Sequence, residues 1–374
     1  MRVAFYAPLK PPDHPVPSGD RRVAGLLLDA LRLAGCRPFV ASGLRSYDRH
    51  GDPARQARLA GIGAGIARRL LRQWRRDPAA APDLWFTYHL YYKAPDWLGP
   101  AISAALGIPY VVAEASSAPK RIGGAWDIGQ RAVERALRHA DAALGLNPAD
   151  HDCVVRLLRD PERWIAFPPF LDARSYETAP RPHPPASPRL ITVAMMRPGD
   201  KLASYRLLAD SLAMLSDLEW SLDIVGDGEA RGEVAAALAP FGPRLRWRGA
   251  LDAAGVADAL AESDLFVWPA INEAFGMALL EAQASGLPVV AGANGGVCGI
   301  VDDGKTGILV PFGDPDALAR AVEHLINNPS RRRALGDAAR ISAGRHFSAD
   351  VIVSRYEALY DRICGSSPGG RRGR

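Results

Sequence analysis

Two carboxylates, Glu273 and Glu281, stand in the stretch Leu265–Ala291, LFVWPAINEAFGMALLEAQASGLPVVA. A buried strand, Leu265–Trp268, runs into a short loop, Pro269–Ala274, and a helix is predicted from near Phe275. Glu273 then lies just ahead of the helix, where its carboxylate can accept from free amides or from a ligand hydroxyl. Asn272 can also cap. The amides of Phe275, Gly276 and Met277 fall in the first turn, lack intrahelical acceptors and favour an anion. Gly276 lets a ligand approach the backbone closely. Glu281 follows about two turns on, flanked by Leu279, Leu280 and Ala282. A carboxylate in such a run needs a partner, and the vicinal hydroxyls of a ribose would suit it. The plain alternative is a helix cap at 273 and a solvated charge at 281.

A second group lies in Leu190–Lys201, LITVAMMRPGDK, where Arg197 and Lys201 follow a predicted strand. Two cations there can neutralise a diphosphate, the Arg as a fork and the Lys as a point charge. They would stabilise charge building on a leaving group. In LWFTYHLYYKAPDW, His89 ends an apolar strand, and Lys93 follows it. Glu114 ends the next strand. Lys93 and Glu114 are candidates for holding a second substrate. The loop KPPDHPVPSGD, Lys10–Asp20, offers Gly19 to phosphates or to an acceptor, while Ser18 or Asp20 can cap the helix that follows. Gly226-Asp227-Gly228 reads as a turn after a strand.

Strands alternating with helices must position these groups. Val3–Tyr6, Pro38–Ala41, Leu84–Tyr88, Tyr110–Glu114, Ala142–Leu146 and Trp164–Phe167 read as strands, with helices such as Arg21–Ala34 and Asp127–His139 between them. Residues 179–188, APRPHPPASP, carry five prolines and form neither helix nor central strand. The alternation then restarts with strands near Leu190–Met195, Ser221–Val225, Leu245–Trp247, Leu265–Trp268, Pro288–Ala291 and Gly307–Val310. The expected fold is α/β, two Rossmann-like, doubly wound parallel-sheet domains facing a central cleft. The first spans 1–178, the linker 179–188 and the second 189–346. A helix over about 347–364 packs back on the first domain, and 365–374 form a disordered basic tail.

The segment E-x-F-G-x-x-x-x-E, matched by Glu273, Phe275, Gly276 and Glu281, resembles the retaining glycosyltransferases of the GT-B fold, glycosyltransferase family four. The resemblance runs over nearly the whole chain, more strongly in the second half. It implies that Glu273 contacts donor-sugar hydroxyls, that the amides from Phe275 through Met277 and Ala278 contact sugar and diphosphate, and that Glu281 holds the ribose. It places an Arg and a Lys where Arg197 and Lys201 stand, and a His contacting the donor sugar where His89 stands. Its members often have paired glycines where this chain has Gly19 alone, and commonly a Glu where this chain has Gly299. The implied reaction is sugar transfer from a nucleotide-diphosphate sugar to a hydroxyl of a saccharide or lipid-linked acceptor, with retention. The leaving diphosphate would help deprotonate the acceptor, the protein supplying position and charge. Cell-envelope polysaccharide or glycolipid synthesis is the implied setting. The alternatives are a phosphorylase or epimerase on the same fold, or a non-catalytic nucleotide-sugar binder.

Bulk properties set the remaining bounds. The 374 residues suit two domains, and 48% hydrophobic with 23% charged residues is a globular composition. No segment has the ~18 uninterrupted apolar residues of a spanning helix, and none has signal-peptide features, so a cytoplasmic protein is expected. Cys36, Cys153, Cys298 and Cys364 form no metal or disulfide pattern and read as buried free thiols. The formal charge of +5 favours anionic partners. Residues 54–76 hold seven arginines with Leu, Ile and Trp, a basic amphipathic stretch suited either to the inner face of an anionic membrane or to solvent. No nucleic-acid-binding motif is present. Asp314-Pro315-Asp316 looks like a metal-binding pair but is better read as a helix cap; no cofactor or metal is expected beyond the nucleotide sugar as co-substrate.

Overall fold

The computed structural model describes residues 1–15, 19–176, 187–273, 276–348 and 351–358. The chain forms two compact units. Met1–Pro169 and the segment from Ile352 make the first, and Phe170–Val351 the second. The proline-rich stretch expected as a linker lies largely outside the described residues, as do the tail and Cys364. Phe170–Tyr176 group with the second unit, ahead of the expected boundary at 178. The Leu171 amide there donates to the Phe347 carbonyl at 3.0 Å.

In the first unit six parallel strands, β1 (Arg2–Tyr6), β2 (Arg37–Val40), β3 (Leu84–Leu90), β4 (Tyr110–Ala115), β5 (Ala142–Gly145) and β6 (Trp164–Ala166), lie in the order β2-β1-β3-β4-β5-β6. Helices α1 (Gly19–Leu33), α2 (Pro53–Arg76), α3 (Gly99–Leu106), α4 (Asp127–His139) and the short α5 (His151–Val155) make the crossovers. The central strands are near-continuous apolar runs because they are covered on both faces, and Phe5, Trp85, Phe86, Tyr88 and Tyr110 are fully buried. The order reverses at β1, so β1 and β3 flank a switch point, where crevices form at the carboxyl ends of strands. Of the helical run over 351–358, the part from Ile352 belongs to this unit; its Tyr356 ring packs 6.2 Å from Phe86 and 5.2 Å from Phe167.

The second unit repeats the plan. Strands β7 (Arg189–Val193), β8 (Ser221–Val225), β9 (Leu245–Gly249), β10 (Leu265–Trp268), β11 (Val289–Gly292) and β12 (Gly307–Val310) are all parallel, ordered β12-β11-β10-β7-β8-β9. Its helices are α6 (Asp200–Ala213), α7 (Arg231–Leu238), α8 (Ala253–Ala261), α9 (Met277–Ala284), α10 (Pro315–Asn327) and α11 (Pro329–His346). The switch point falls between β7 and β10. The loops that leave those two strands carry Arg197 and Glu273.

Asp314 caps α10 as expected, accepting from the Ala317 amide at 2.8 Å. No group of His, Cys, Asp or Glu that could hold a metal is found among the described residues. The thiols are less buried than expected: Cys36 and Cys153 are half-buried and Cys298 is exposed. Residues 54–76 do form a helix, α2, despite three glycines, because Gly63 is a packing residue. A Cβ there would stand 2.4 Å from the Cβ of Trp97. The helix buries Gln56, Leu59, Gly63, Ala67 and Trp74, and its seven arginines are all exposed. No described helix is long and apolar enough to cross a membrane.

Candidate active site

In the second unit the loops after β7 and β10 are locked together. Lys201, in the first turn of α6, reaches Oε2 of Glu273 with its Nζ at 2.5 Å. The Trp268 indole Nε1 donates to the same oxygen at 3.2 Å, and the Lys201 ammonium lies 5.4 Å from the Trp268 ring centroid. Glu273 is thus oriented by two donors rather than acting as a helix cap, and its side chain remains 17% exposed. Asn272 does not cap either; its amide donates to Asp200 at 3.1 Å. The Ile271 amide donates to Ser204 Oγ at 3.1 Å, a further tie between this loop and α6.

Helix α9 starts at Met277, later than expected, because Gly276 adopts φ 66° as its N-cap. Ala274 and the expected ligand Phe275 lie outside the described residues. The amides of Met277 and Ala278 occupy the first turn of α9. Glu281 is 3% exposed among buried Leu279, Leu280 and Ala282, so it is not a solvated surface charge. Arg197 is exposed at the carboxyl end of β7 and forms no ion pair among the described residues. Gly299 is exposed with open space around the position of a Cβ, so a larger side chain would fit where none exists.

The Gly226-Asp227-Gly228 turn does more than the sequence indicates. It packs directly under the Arg197 loop: the Met196 amide donates to the Asp227 carbonyl at 3.0 Å. A Cβ on Gly226 would lie 1.9 Å from the Ala194 carbonyl oxygen, and one on Gly228 2.3 Å from that of Met196. With φ of 142° and 155°, these positions suit glycine on conformational grounds as well.

In the first unit His89 and Glu114 end β3 and β4, and both adopt positive φ, 64° and 55°. Such backbone is uncommon for side-chain-bearing residues and clusters at functional sites. His89 Nδ1 lies 3.1 Å from Asp20 Oδ1 and 3.4 Å from Glu114 Oε1. Burial works to lower the His89 pKa, but Glu114 and Asp20 outweigh it and raise it to about 9. Burial is also what raises Glu114 to about 8, against the pull of His89. Asp150, on the turn after β5, joins the cluster; burial raises it to about 6. Glu114 Oε2 is buried without a hydrogen-bond partner. Sequence reading missed Asp150 altogether, and it took Asp20 for a possible cap. Gly19 opens α1 with nothing within 4 Å of where a Cβ would sit, so packing there does not demand glycine. Lys93 lies apart from this cluster, over the rings of Tyr92 and Trp126.

Residues 187–328, which hold the Lys201–Glu273 pair and α9, match the family model "Glycosyl transferases group 1". The chain carries a group 1 glycosyltransferase domain. Around that domain, 313 residues are 28% identical to D-inositol 3-phosphate glycosyltransferase of Geodermatophilus obscurus, covering 76% of this chain and 67% of that protein. A 116-residue stretch is 34% identical to N-acetyl-alpha-D-glucosaminyl L-malate synthase of Bacillus anthracis. This covers 31% of the chain and only 30% of the Bacillus protein. Among solved structures, a glycosyltransferase from Rickettsia africae superposes with a TM-score of 0.75 at 14% identity, covering 98% of this chain and 99% of that one. Anabaena HepE, solved with UDP, superposes with a TM-score of 0.73 at 16% identity, covering 96% and 100%. The fold around the group 1 domain is therefore the GT-B fold, with its two Rossmann-like units.

Proposed function

We propose that the protein is a retaining glycosyltransferase that moves a sugar from a nucleotide-diphosphate sugar to an acceptor hydroxyl. The observation that carries this reading is the Lys201–Glu273 pair at the β7/β10 switch point, inside the group 1 domain. In this account Glu273 takes donor-sugar hydroxyls, and Lys201 with Arg197 neutralises the diphosphate as it leaves. Gly276 and the amides of Met277 and Ala278 line the sugar and phosphates, and Glu281 takes the ribose. Phe275 shares that donor role. His89 contacts the donor sugar, and Glu114, Gly19 and Lys93 serve the acceptor side. HepE was solved with UDP-glucose, which supports a nucleoside-diphosphate donor here. No step in this account calls on a metal ion; charge neutralisation rests on the two cations.

The acceptor belongs to cell-envelope polysaccharide or glycolipid chemistry in this reading. Relatives named phosphatidyl-myo-inositol mannosyltransferase, from Mycobacterium leprae, and lipopolysaccharide outer core galactosyltransferase support that setting. The exposed arginine face of α2 supports peripheral contact with anionic lipid at the cytoplasmic side of the membrane. Incubation with a panel of nucleotide sugars tests the activity. One donor should be turned over, slowly to water alone, with the α-configured anomer retained in the product by proton NMR. Binding without any turnover would replace the transferase with a nucleotide-sugar binder.

A further inference from the structure

Four residues on the loops that leave β3 and β4 form a built but unneutralised cationic site. The Tyr92 and Trp126 rings meet edge to face, with centroids 5.6 Å apart. Both Lys93 and Arg121 lie over this pair. The Lys93 Nζ is 5.9 Å from the Tyr92 centroid and 5.3 Å from that of Trp126; the Arg121 guanidinium is 5.1 and 5.0 Å away. Neither cation has an ion-pair partner among the described residues, and the Arg121 Nε is buried with no hydrogen-bond acceptor.

The neighbouring carboxylates are committed elsewhere. Asp48 is buried and accepts from the amides of His50 and Asp52 and from Gln56. Asp127 holds Arg131 and the Gly123 amide. The seat itself is firmly constructed. The Asp48 backbone takes the Trp126 indole at 3.3 Å and donates to the Lys93 carbonyl at 2.7 Å. Gly51, at φ 75°, leaves room for Trp126, since a Cβ there would lie 3.0 Å from the indole. Aromatic quadrupoles offset part of the cost of holding two like charges together, but an orphaned buried guanidinium N–H still calls for an acceptor. An aromatic ledge also links this seat to His89. The His89 and Tyr91 rings are 5.0 Å apart, and those of Tyr91 and Tyr92 5.6 Å.

We propose that Lys93 and Arg121, held on Tyr92 and Trp126, bind a phosphate group carried by the acceptor, so that the acceptor is a phosphorylated polyol, saccharide or lipid. The guanidinium supplies a fork, the ammonium a point charge, and the ledge toward His89 a floor for the polyol or sugar ring. This rests on the transferase reading above and gives it an acceptor class.

The test is calorimetric titration of the whole protein with glycerol phosphate, glycerol and glycerate, and co-sedimentation with vesicles of phosphatidylglycerol or phosphatidylcholine. Wild type, Lys93→Met, Arg121→Met and Arg121→Lys are compared, with circular dichroism to confirm folding. Glycerol phosphate should bind where glycerol and glycerate do not. Each Met variant should weaken it by at least about tenfold, and Arg121→Lys should weaken it less. If the phosphate is a lipid headgroup, the same variants should instead weaken binding to phosphatidylglycerol vesicles, the α2 arginines holding what remains. Glycerol phosphate binding that ignores both Met variants overturns the inference, as does equal affinity for glycerate, or the absence of glycerol phosphate binding together with vesicle binding that neither variant weakens. Uridine, guanosine and adenosine diphosphates are titrated in parallel. Their binding should be unchanged by these variants, and a chain that binds none of them fails the donor reading rather than this one.

Discussion

The Lys201–Glu273 pair makes a quantitative claim. At an effective dielectric of about 20, unit charges about 3 Å apart attract by roughly 5 kcal/mol before desolvation. Side-chain exposures of 31% and 17% mean that solvent screens part of this and that neither ion has lost all its hydration. The net coupling should then be about 1–2 kcal/mol, well below the cost of breaking a fully buried pair. A double-mutant cycle of Lys201→Met and Glu273→Gln measures it. For a unit the size of Phe170–Val351, each single variant should lower Tm by about 2–8 °C. Glu273→Gln keeps the Trp268 hydrogen bond and the shape, so it should fall at the low end. Its effect on turnover should be larger, about 100- to 1000-fold in kcat/KM, because in the proposed function the carboxylate orients the reacting sugar. Affinity for the free nucleoside diphosphate, which does not present the sugar, should change less than threefold. A coupling energy within about 0.3 kcal/mol of zero, or turnover near wild type in Glu273→Gln, would refute the reasoning.

Three other outcomes follow from the geometry. Gly228→Ala places a Cβ against the Met196 carbonyl, and should cost roughly 2–4 kcal/mol in chemical denaturation while weakening nucleotide binding through the Arg197 loop. In the first unit the raised His89 pKa gives stability that is full below pH 6.5 and lost as pH rises through about 9; Glu114, raised to about 8, adds the same sign from pH 4.5 upward. Tm should therefore fall between pH 7 and 9.5, and His89→Gln should flatten that slope. Gly299→Glu should leave Tm within about 1 °C, because its side chain meets open space, and should change affinity for the nucleotide sugar.

Much of this was legible in the sequence for physical reasons. Central strands buried on both faces are apolar runs, a local pattern, and the edge strands follow from the regular strand–helix alternation, so all twelve were found near their observed places. The motif residues Glu273, Gly276 and Glu281 were legible for the same reason: they share one strand–loop–helix. What escaped was whatever depended on distance. Lys201 and Glu273 are 72 positions apart, so the spacing within each loop says nothing of their contact. The left-handed backbone of His89 and Glu114 is imposed by packing at the strand ends, and neither residue type announces it. Asp150 carries no signal of its own in the sequence; the turn after β5 brings it to the cluster. Helix propensity counts Gly63 as a cost because it weighs the lone residue, whereas its neighbour Trp97 decides the matter.

The central claim is a nucleoside-diphosphate site at the β7/β10 switch point, and thermal denaturation with uridine, guanosine and adenosine diphosphates and their sugars tests it most directly. The account predicts that one nucleotide raises Tm by linkage, equally with and without EDTA, and that Glu281→Ala and Arg197→Ala abolish the rise. No shift at millimolar concentration with any of them, or a shift that both variants retain, would contradict it.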